Sequence, residues 1–471
     1  MLLGSNYPSS DLRDRTLETI LRERRIRLAE QVDFPVVLWS GRSKSRNFPA
    51  NTYPFRASSH FLYFAGLPLE NAAVRLESGK LELFLDDPAS GAALWHGEAP
   101  KRHEVARTIG ADVAFPLSEL PARAKDAATI AVLNNEIRQQ QALVLERSIS
   151  PLDALNGIDR ELARAIVQLR LSHDAGALGE LRQAAAVSVE AHKAGMAATK
   201  TAHLEARIRG AMEGVILSQN MTCAYNSIVT VHGEVLHNDR YHHPLQAGDL
   251  LLADVGAETP LGWASDITRT WPVNGQFSAT QRAIYEVVLA AHDRAIEAVK
   301  PGVEYRNVHL LAAKVLAEGL VDLGILCGNP EDLVEADAHA LFFPHGIGHL
   351  LGLDVHDMED LGDYAGYENN RARSKRFGLC FLRLHRPLKP SMLVTIEPGF
   401  YQVPGILNNP QNREKYKDAV NWERLEQFAD VRGIRIEDDV LVTEDGGEVT
   451  TSALPTDIES IEHLVSDSGR T

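Results

Sequence analysis

Five residues constrain this chain more than any other feature: Asp254, Asp266, His349, Glu397 and Glu437. They occur in AspValGly (254–256), SerAspIleThrArg (265–269), HisGlyIleGlyHis (345–349), IleGluProGlyPhe (396–400) and ArgIleGluAsp (435–438). Any one of these acids, read alone, is an ordinary turn or surface residue. Their joint occurrence, in order and in these contexts, points to one centre assembled from separate strand-like segments. Four carboxylates and one imidazole fit a structural zinc site poorly, because such sites close Cys and His around one ion. They suit two hard or borderline divalent cations that share carboxylates and a water. Such a pair makes the shared water acidic enough to be hydroxide at neutral pH and polarises the carbonyl it attacks, which is the chemistry of a metallohydrolase. Oxygen donors favour Mn2+, with Co2+ or Zn2+ as alternatives.

With 471 residues, the chain exceeds one ordinary core, and two domains are expected, at 1–165 and 172–471. A net charge of −16, from 48 basic and 64 acidic residues, argues against nucleic acid or an anionic membrane as partner. Cys223, Cys327 and Cys380 are too few and too scattered for a disulfide framework, which suits a reducing compartment. The first residues carry no basic-then-apolar signal pattern, and no apolar run reaches the roughly 18 residues of a membrane span. The expected location is the cytoplasm.

Strand-like runs at 34–39, 72–76, 81–85, 113–115 and 128–133 follow a charged amphipathic helix at 11–32, which gives an α/β N-terminal half. Polar, Pro and Gly residues at 149–159 mark a boundary zone, and a helix at 159–171 follows. The second half has helices at 177–199, from Ser278 to Lys300 and at 305–324. Ser278 with Gln281 forms a capping box, and Pro301-Gly302 stops that helix. The fold class is therefore α/β in the broad α+β sense. Residues 250–255 and 265–271 are strand-like around the turn chemistry of GluThrProLeuGly (258–262). An antiparallel hairpin would set Asp254 and Asp266 face to face. Arg435 and Glu437, two apart, share a strand face, so the guanidinium can orient a ligand or neutralise surplus acid.

His345 and His356 lie in the same Gly-rich stretch as His349 and are expected behind the ligands or facing substrate; hydrogen bonding within the core is the plain alternative. His237 in ValLeuHisAsn (235–238) is read the same way. His242 and His243 read as exposed loop residues, and His385 is undecided. Arg383 is a candidate to hold a substrate carboxylate, though the basic stretch 371–386 also suits a solvated surface.

The strings SerAspIleThrArgThrTrpProValAsnGly (265–275), HisGlyIleGlyHisLeuLeuGlyLeuAspValHisAsp (345–357), ThrIleGluProGly (395–399) and GlyIleArgIleGluAspAsp (433–439) resemble those of the pita-bread metallopeptidases, and best of all the aminopeptidase P and prolidase branch. The resemblance covers residues 172 to about 465. TyrProPheArgAlaSerSerHisPheLeuTyrPheAlaGly (53–66) is similar to the start of the aminopeptidase P N-terminal domain. The resemblance implies a two-domain peptidase with a pita-bread catalytic domain that cuts between a first residue and a following proline. It implies that Asp254 chelates one metal, that Asp266 and Glu437 bridge both, and that His349 and Glu397 complete the second. Glu397 would also shuttle the proton of the shared water. His237, His345 and His356 match positions that contact substrate or steady the tetrahedral intermediate, and Arg435 matches the arginine beside the last glutamate. The implied assembly is a homodimer or homotetramer.

Two departures from the branch, a loop between the aspartates one residue longer than usual and Trp263 where Tyr is common, remove no ligand. Residues 53–56 favour an aminopeptidase that accepts longer peptides. The insert at 402–430 looks more like a prolidase, which cuts Xaa-Pro dipeptides only. Methionine aminopeptidases share the ligands but usually lack a large N-terminal domain. A metal-free protein-binding relative is disfavoured because all five ligands are present.

Overall fold

The computed structural model describes residues 16–151, 154–368 and 371–466. The chain divides into two compact units. The first holds residues up to Glu180 with Pro260–Gly262 and Met358–Ala365, and the second holds the remainder.

The first unit is built on a four-stranded sheet. Its strands are β1 (Val36–Trp39), β2 (Ala73–Glu77), β3 (Lys80–Phe84) and β4 (Val113–Phe115), in that order. The first two pairings are antiparallel and the last is parallel. Val37, Trp39, Ala73 and Phe84 pack with Leu120, Ala124 and Ile137 in one core cluster. Helix α1 (Leu17–Ala29) buries Leu21 and Leu28 and is capped by Thr16, so the described part of the expected 11–32 helix is shorter. Residues 11–15 lie outside the described residues. Helix α2 (Ser59–Ala65), from the quoted 53–66 stretch, is buried along its whole length. The expected strand at 128–133 is not formed: only Ala128 bridges, to Val36. Gln141 takes over the hydrogen bonds of that run, its amide reaching Thr129 and the Ile130 carbonyl and its oxygen the Val132 amide. A buried side chain has replaced a neighbouring strand as partner. Helix α3 (Gly157–Arg170) ends the run.

The long helix α4 (Ala175–Thr199) begins in the first unit and continues into the second, where helix α5 (Glu205–Ser218) follows it. Strands β5 (Ile228–Thr230), β6 (Leu250–Asp254) and β7 (Thr268–Pro272) form one sheet with β6 in the middle. Helix α6 (Ala279–Glu297) starts at the expected capping box of Ser278 and Gln281, and helix α7 (Tyr305–Asp322) packs against it. Then come β8 (Leu393–Ile396) and β9 (Gly399–Tyr401), followed by β10 (Gly433–Arg435) and β11 (Asp438–Val442). Strand β8 pairs with β11, and β9 with β10. The 402–430 insert folds as short helices. No helix among the described residues is long and apolar enough to cross a membrane.

Two core histidines make stability depend on pH. His309 on α7 and His339 are fully buried, and burial holds their imidazoles at about 4 and about 3, against 6.5 when exposed. The unfolded chain therefore binds more protons than the folded one below pH 6.5, and stability falls as pH drops through that window. Each site should cost on the order of 2 kcal/mol by pH 5. Urea unfolding at pH 7 and pH 5 should show His309→Gln losing less stability on acidification than the wild type. Equal losses would reject the assignment.

Candidate metal centre

Main-chain pairing brings the five residues together. Strands β6 and β7 pair with Thr268 opposite Asp254, and the Val255 amide donates to the Ile267 carbonyl at 3.0 Å. The expected hairpin therefore forms, but Asp254 faces Thr268 across the ladder. Asp266 lies two residues ahead of Thr268, outside the ladder, because Ser265 and Asp266 are tied elsewhere: the Ser265 hydroxyl and the Asp266 amide donate to Asp439. The two aspartates still meet, through Tyr225, whose hydroxyl lies 2.6 Å from Asp254 Oδ1 and 2.5 Å from Asp266 Oδ1. Glu437 joins them by donating its amide to the Thr268 carbonyl at 3.0 Å.

His349 and Glu397 meet by the same device. The Thr395 amide donates to the His349 carbonyl, and the Glu397 amide to that of Ile347. Gly348 makes this possible: at φ +154, a Cβ there would lie 2.2 Å from the Thr395 carbonyl oxygen and 2.3 Å from the Tyr305 hydroxyl. His349 Nδ1–H donates to the Leu350 carbonyl, which fixes the tautomer and leaves the Nε2 lone pair free for a cation. That Nε2 lies 3.3 Å from Asp266 Oδ2 and 3.6 Å from Glu397 Oε1. Donor atoms of Asp266, His349 and Glu437 all lie within 4.8 Å of one another.

The arrangement carries more negative charge than buried acids tolerate alone. Burial, and then the Asp254 charge, push Asp266 up to about 8. Burial pushes Glu397 up to about 7 against the pull of His349 and Arg435. Burial and the Asp266 charge raise Glu437 as well. Converging buried carboxylates that repel one another are a donor set waiting for positive charge, so the residues present fit divalent cations.

Arg435 supplies part of that charge. Its Nη2 donates to Asp254 Oδ2 at 2.6 Å and its Nε to the Thr268 hydroxyl, which in turn donates to Glu437 Oε2 at 2.6 Å. Arg435 Nη1 donates to the Tyr401 hydroxyl, which bonds His345 Nε2 at 2.9 Å. His345 Nδ1–H donates to the Gly346 carbonyl, so both its ring nitrogens are engaged within the protein. Burial and the Arg435 charge hold it neutral, at about 3.

The turn after His349 folds back, with the Asp357 amide on the Leu350 carbonyl. It sets the His356 ring 4.1 Å from that of His349. His237 is exposed; partial burial lowers its pKa, and so, less strongly, do the charges of Arg435, Arg383 and His356. Arg383 thus acts electrostatically on the same group as the centre does. His385 instead packs edge-on to Tyr367. Sequence reasoning missed Tyr225, Tyr401 and Thr268. Thr268 stood inside the quoted SerAspIleThrArg string, whereas nothing local to CysAlaTyrAsn (223–226) marks Tyr225.

Residues 179–444 match the model of metallopeptidase family M24, and residues 21–132 that of the aminopeptidase P N-terminal domain. The chain belongs to metallopeptidase family M24. It is 32% identical to a Xaa-Pro aminopeptidase of Haemophilus influenzae, over 94% of this chain and 96% of that one. It is 31% identical to the human Xaa-Pro dipeptidase, over 92% and 89%. The structure of Pseudomonas aeruginosa aminopeptidase PepP superposes with a TM-score of 0.78 at 27% identity, covering 96% of this chain and 98% of the other. Both expected parts of the fold, the aminopeptidase P N-terminal domain and the M24 catalytic domain, are therefore present, and the protein is a metal-dependent peptidase.

Proposed function

We propose that this M24 peptidase is a Xaa-Pro aminopeptidase, removing the residue that precedes proline at a peptide N-terminus. The observation that carries the reading is the convergence of four carboxylates and the oriented His349 on one buried cluster. Asp254, Asp266, His349, Glu397 and Glu437 would hold two divalent cations, Mn2+ preferred by the oxygen donors. When bound, these supply a water acidic enough to attack at neutral pH and a Lewis acid for the scissile carbonyl. Glu397, less buried than the other four, takes the proton of the attacking water and passes it to the departing proline nitrogen. His356 and His237 face the substrate, and His356 donates to the carbonyl oxygen as charge develops there. His345 and Arg435 act from behind, holding Tyr401 and Asp254 in place. The proline nitrogen of the scissile bond carries no N–H, so the ring is recognised by shape without a donor to satisfy.

The reading includes a homodimer or homotetramer, as the family resemblance suggests. It also includes a cytoplasmic site of action, which suits three free cysteines.

A prolidase is the alternative, in line with the 31% identity to the human Xaa-Pro dipeptidase, with Arg383, one of the charges that lower the His237 pKa, as the candidate anchor. An arginine there could grip the C-terminal carboxylate of an Xaa-Pro dipeptide. Ala-Pro and Arg-Pro-Pro, offered to Mn-loaded protein, separate the two. Cleavage of the tripeptide supports the aminopeptidase, and cleavage of the dipeptide alone establishes the prolidase. Arg383→Ala should raise KM for Ala-Pro at least tenfold more than for Arg-Pro-Pro if Arg383 holds the dipeptide carboxylate. Equal effects remove it from substrate binding.

A further inference from the structure

His237 is exposed and sits on an irregular segment between β5 and β6, yet it has to meet substrate in one place. What fixes that segment is a buried carboxylate. Glu205, the first residue of α5, is fully buried. Its Oε1 accepts from the Thr230 hydroxyl and the Val231 amide, both at 2.9 Å. Its Oε2 accepts from His243 Nδ1 at 2.8 Å and the His243 amide at 3.2 Å. One carboxylate thus pins both ends of residues 230–243. The exchange is reciprocal, since the Glu205 and Ala206 amides donate to the carbonyls of His243 and Tyr241. The segment thereby satisfies amides in the first turn of α5 that have no partner within the helix.

Inside the segment, the buried Asn238 side chain donates to Thr230 Oγ1 at 2.9 Å, next door to His237. On the far side, the backbones of Gly233 and Gly433 touch: a Cβ on Gly433 would lie 2.3 Å from the Gly233 carbonyl carbon. Gly433 opens β10, the strand that carries Arg435. His243, expected as an exposed loop residue, is instead half-buried and committed to Glu205.

We infer that Glu205 is a positioning residue that acts through the 230–243 segment to hold His237 over the centre. This deepens the functional reading above and rests on it. A buried carboxylate with four donors cannot be removed neutrally, because each donor would be left without its acceptor.

The test is a double-mutant cycle on Mn-loaded protein with Arg-Pro-Pro, paired with trypsin cleavage after the exposed Arg240, followed by mass spectrometry. Glu205→Ala and His237→Ala should each lower kcat/KM by roughly tenfold or more, and Glu205→Ala/His237→Ala should be no worse than His237→Ala alone. Cleavage after Arg240 should be faster in Glu205→Ala and unchanged in His237→Ala. Glu205→Gln keeps one acceptor oxygen and should show the same pattern more weakly, which covers a Glu205→Ala chain that does not fold. Losses that multiply in the double variant would overturn the inference, as would unchanged activity and unchanged cleavage. A wild type that leaves Arg-Pro-Pro uncut would instead overturn the functional reading, and is thereby told apart from additive variants of an active enzyme.

Discussion

Glu397→Gln should leave Mn-loaded protein with about a thousandth or less of its kcat on Arg-Pro-Pro, because proton transfer by a placed carboxylate contributes roughly 10²- to 10⁴-fold. The amide keeps the shape and one oxygen of the side chain but cannot carry the proton. The expectation comes from geometry. The Glu397 amide is pinned to the Ile347 carbonyl, and its carboxylate lies 3.6 Å from His349 Nε2 and 3.7 Å from His345 Nδ1. Elemental analysis of the variant has to accompany the kinetics, since Glu397 is also a proposed ligand. A variant that retains metal and more than a tenth of the wild-type kcat would remove Glu397 from proton transfer.

Chelation should have an effect at least as large, and on stability as well as rate. Without cations the centre is a buried cluster of mutually repelling carboxylates. At neutral pH it relieves that repulsion by keeping protons, as the raised Asp266 and Glu397 indicate. Metal must displace those protons, so Mn2+ binding at pH 7 should release protons. Calorimetry in buffers of different ionisation enthalpy would measure them, and binding without proton release would contradict the arrangement. Chelator-treated protein should lose hydrolysis and regain it on adding Mn2+. At a hundredfold excess of free metal over its Kd, the folded state should gain about 2.7 kcal/mol. Under half a metal per chain after Mn2+ incubation would sink the catalytic reading altogether.

Much of this architecture was written in local sequence. The capping box at Ser278 and Gln281 places the start of α6 because both partners lie within one turn. The strand-like runs at 250–255 and 265–271, with turn residues between them, identify two strands and their turn. The strings around Asp254, Asp266, His349, Glu397 and Glu437 mark the acids and the imidazole, since glycine, proline and strand-formers sit at short fixed distances from them. What the tertiary structure decided is which of these residues touch. Asp254 faces Thr268 rather than Asp266, because Asp439, far along the chain, captures the Ser265 hydroxyl and the Asp266 amide. Tyr225 bridges the aspartates, Thr268 links Arg435 to Glu437, and Gln141 replaces a strand that the 128–133 run alone would suggest. His243 turns inward to Glu205. Each of these is a hydrogen bond that a side chain makes to a partner brought to it by folding. Periodicity reports only which face of an element is apolar, whereas a buried polar group takes whichever partner the packed chain brings within reach.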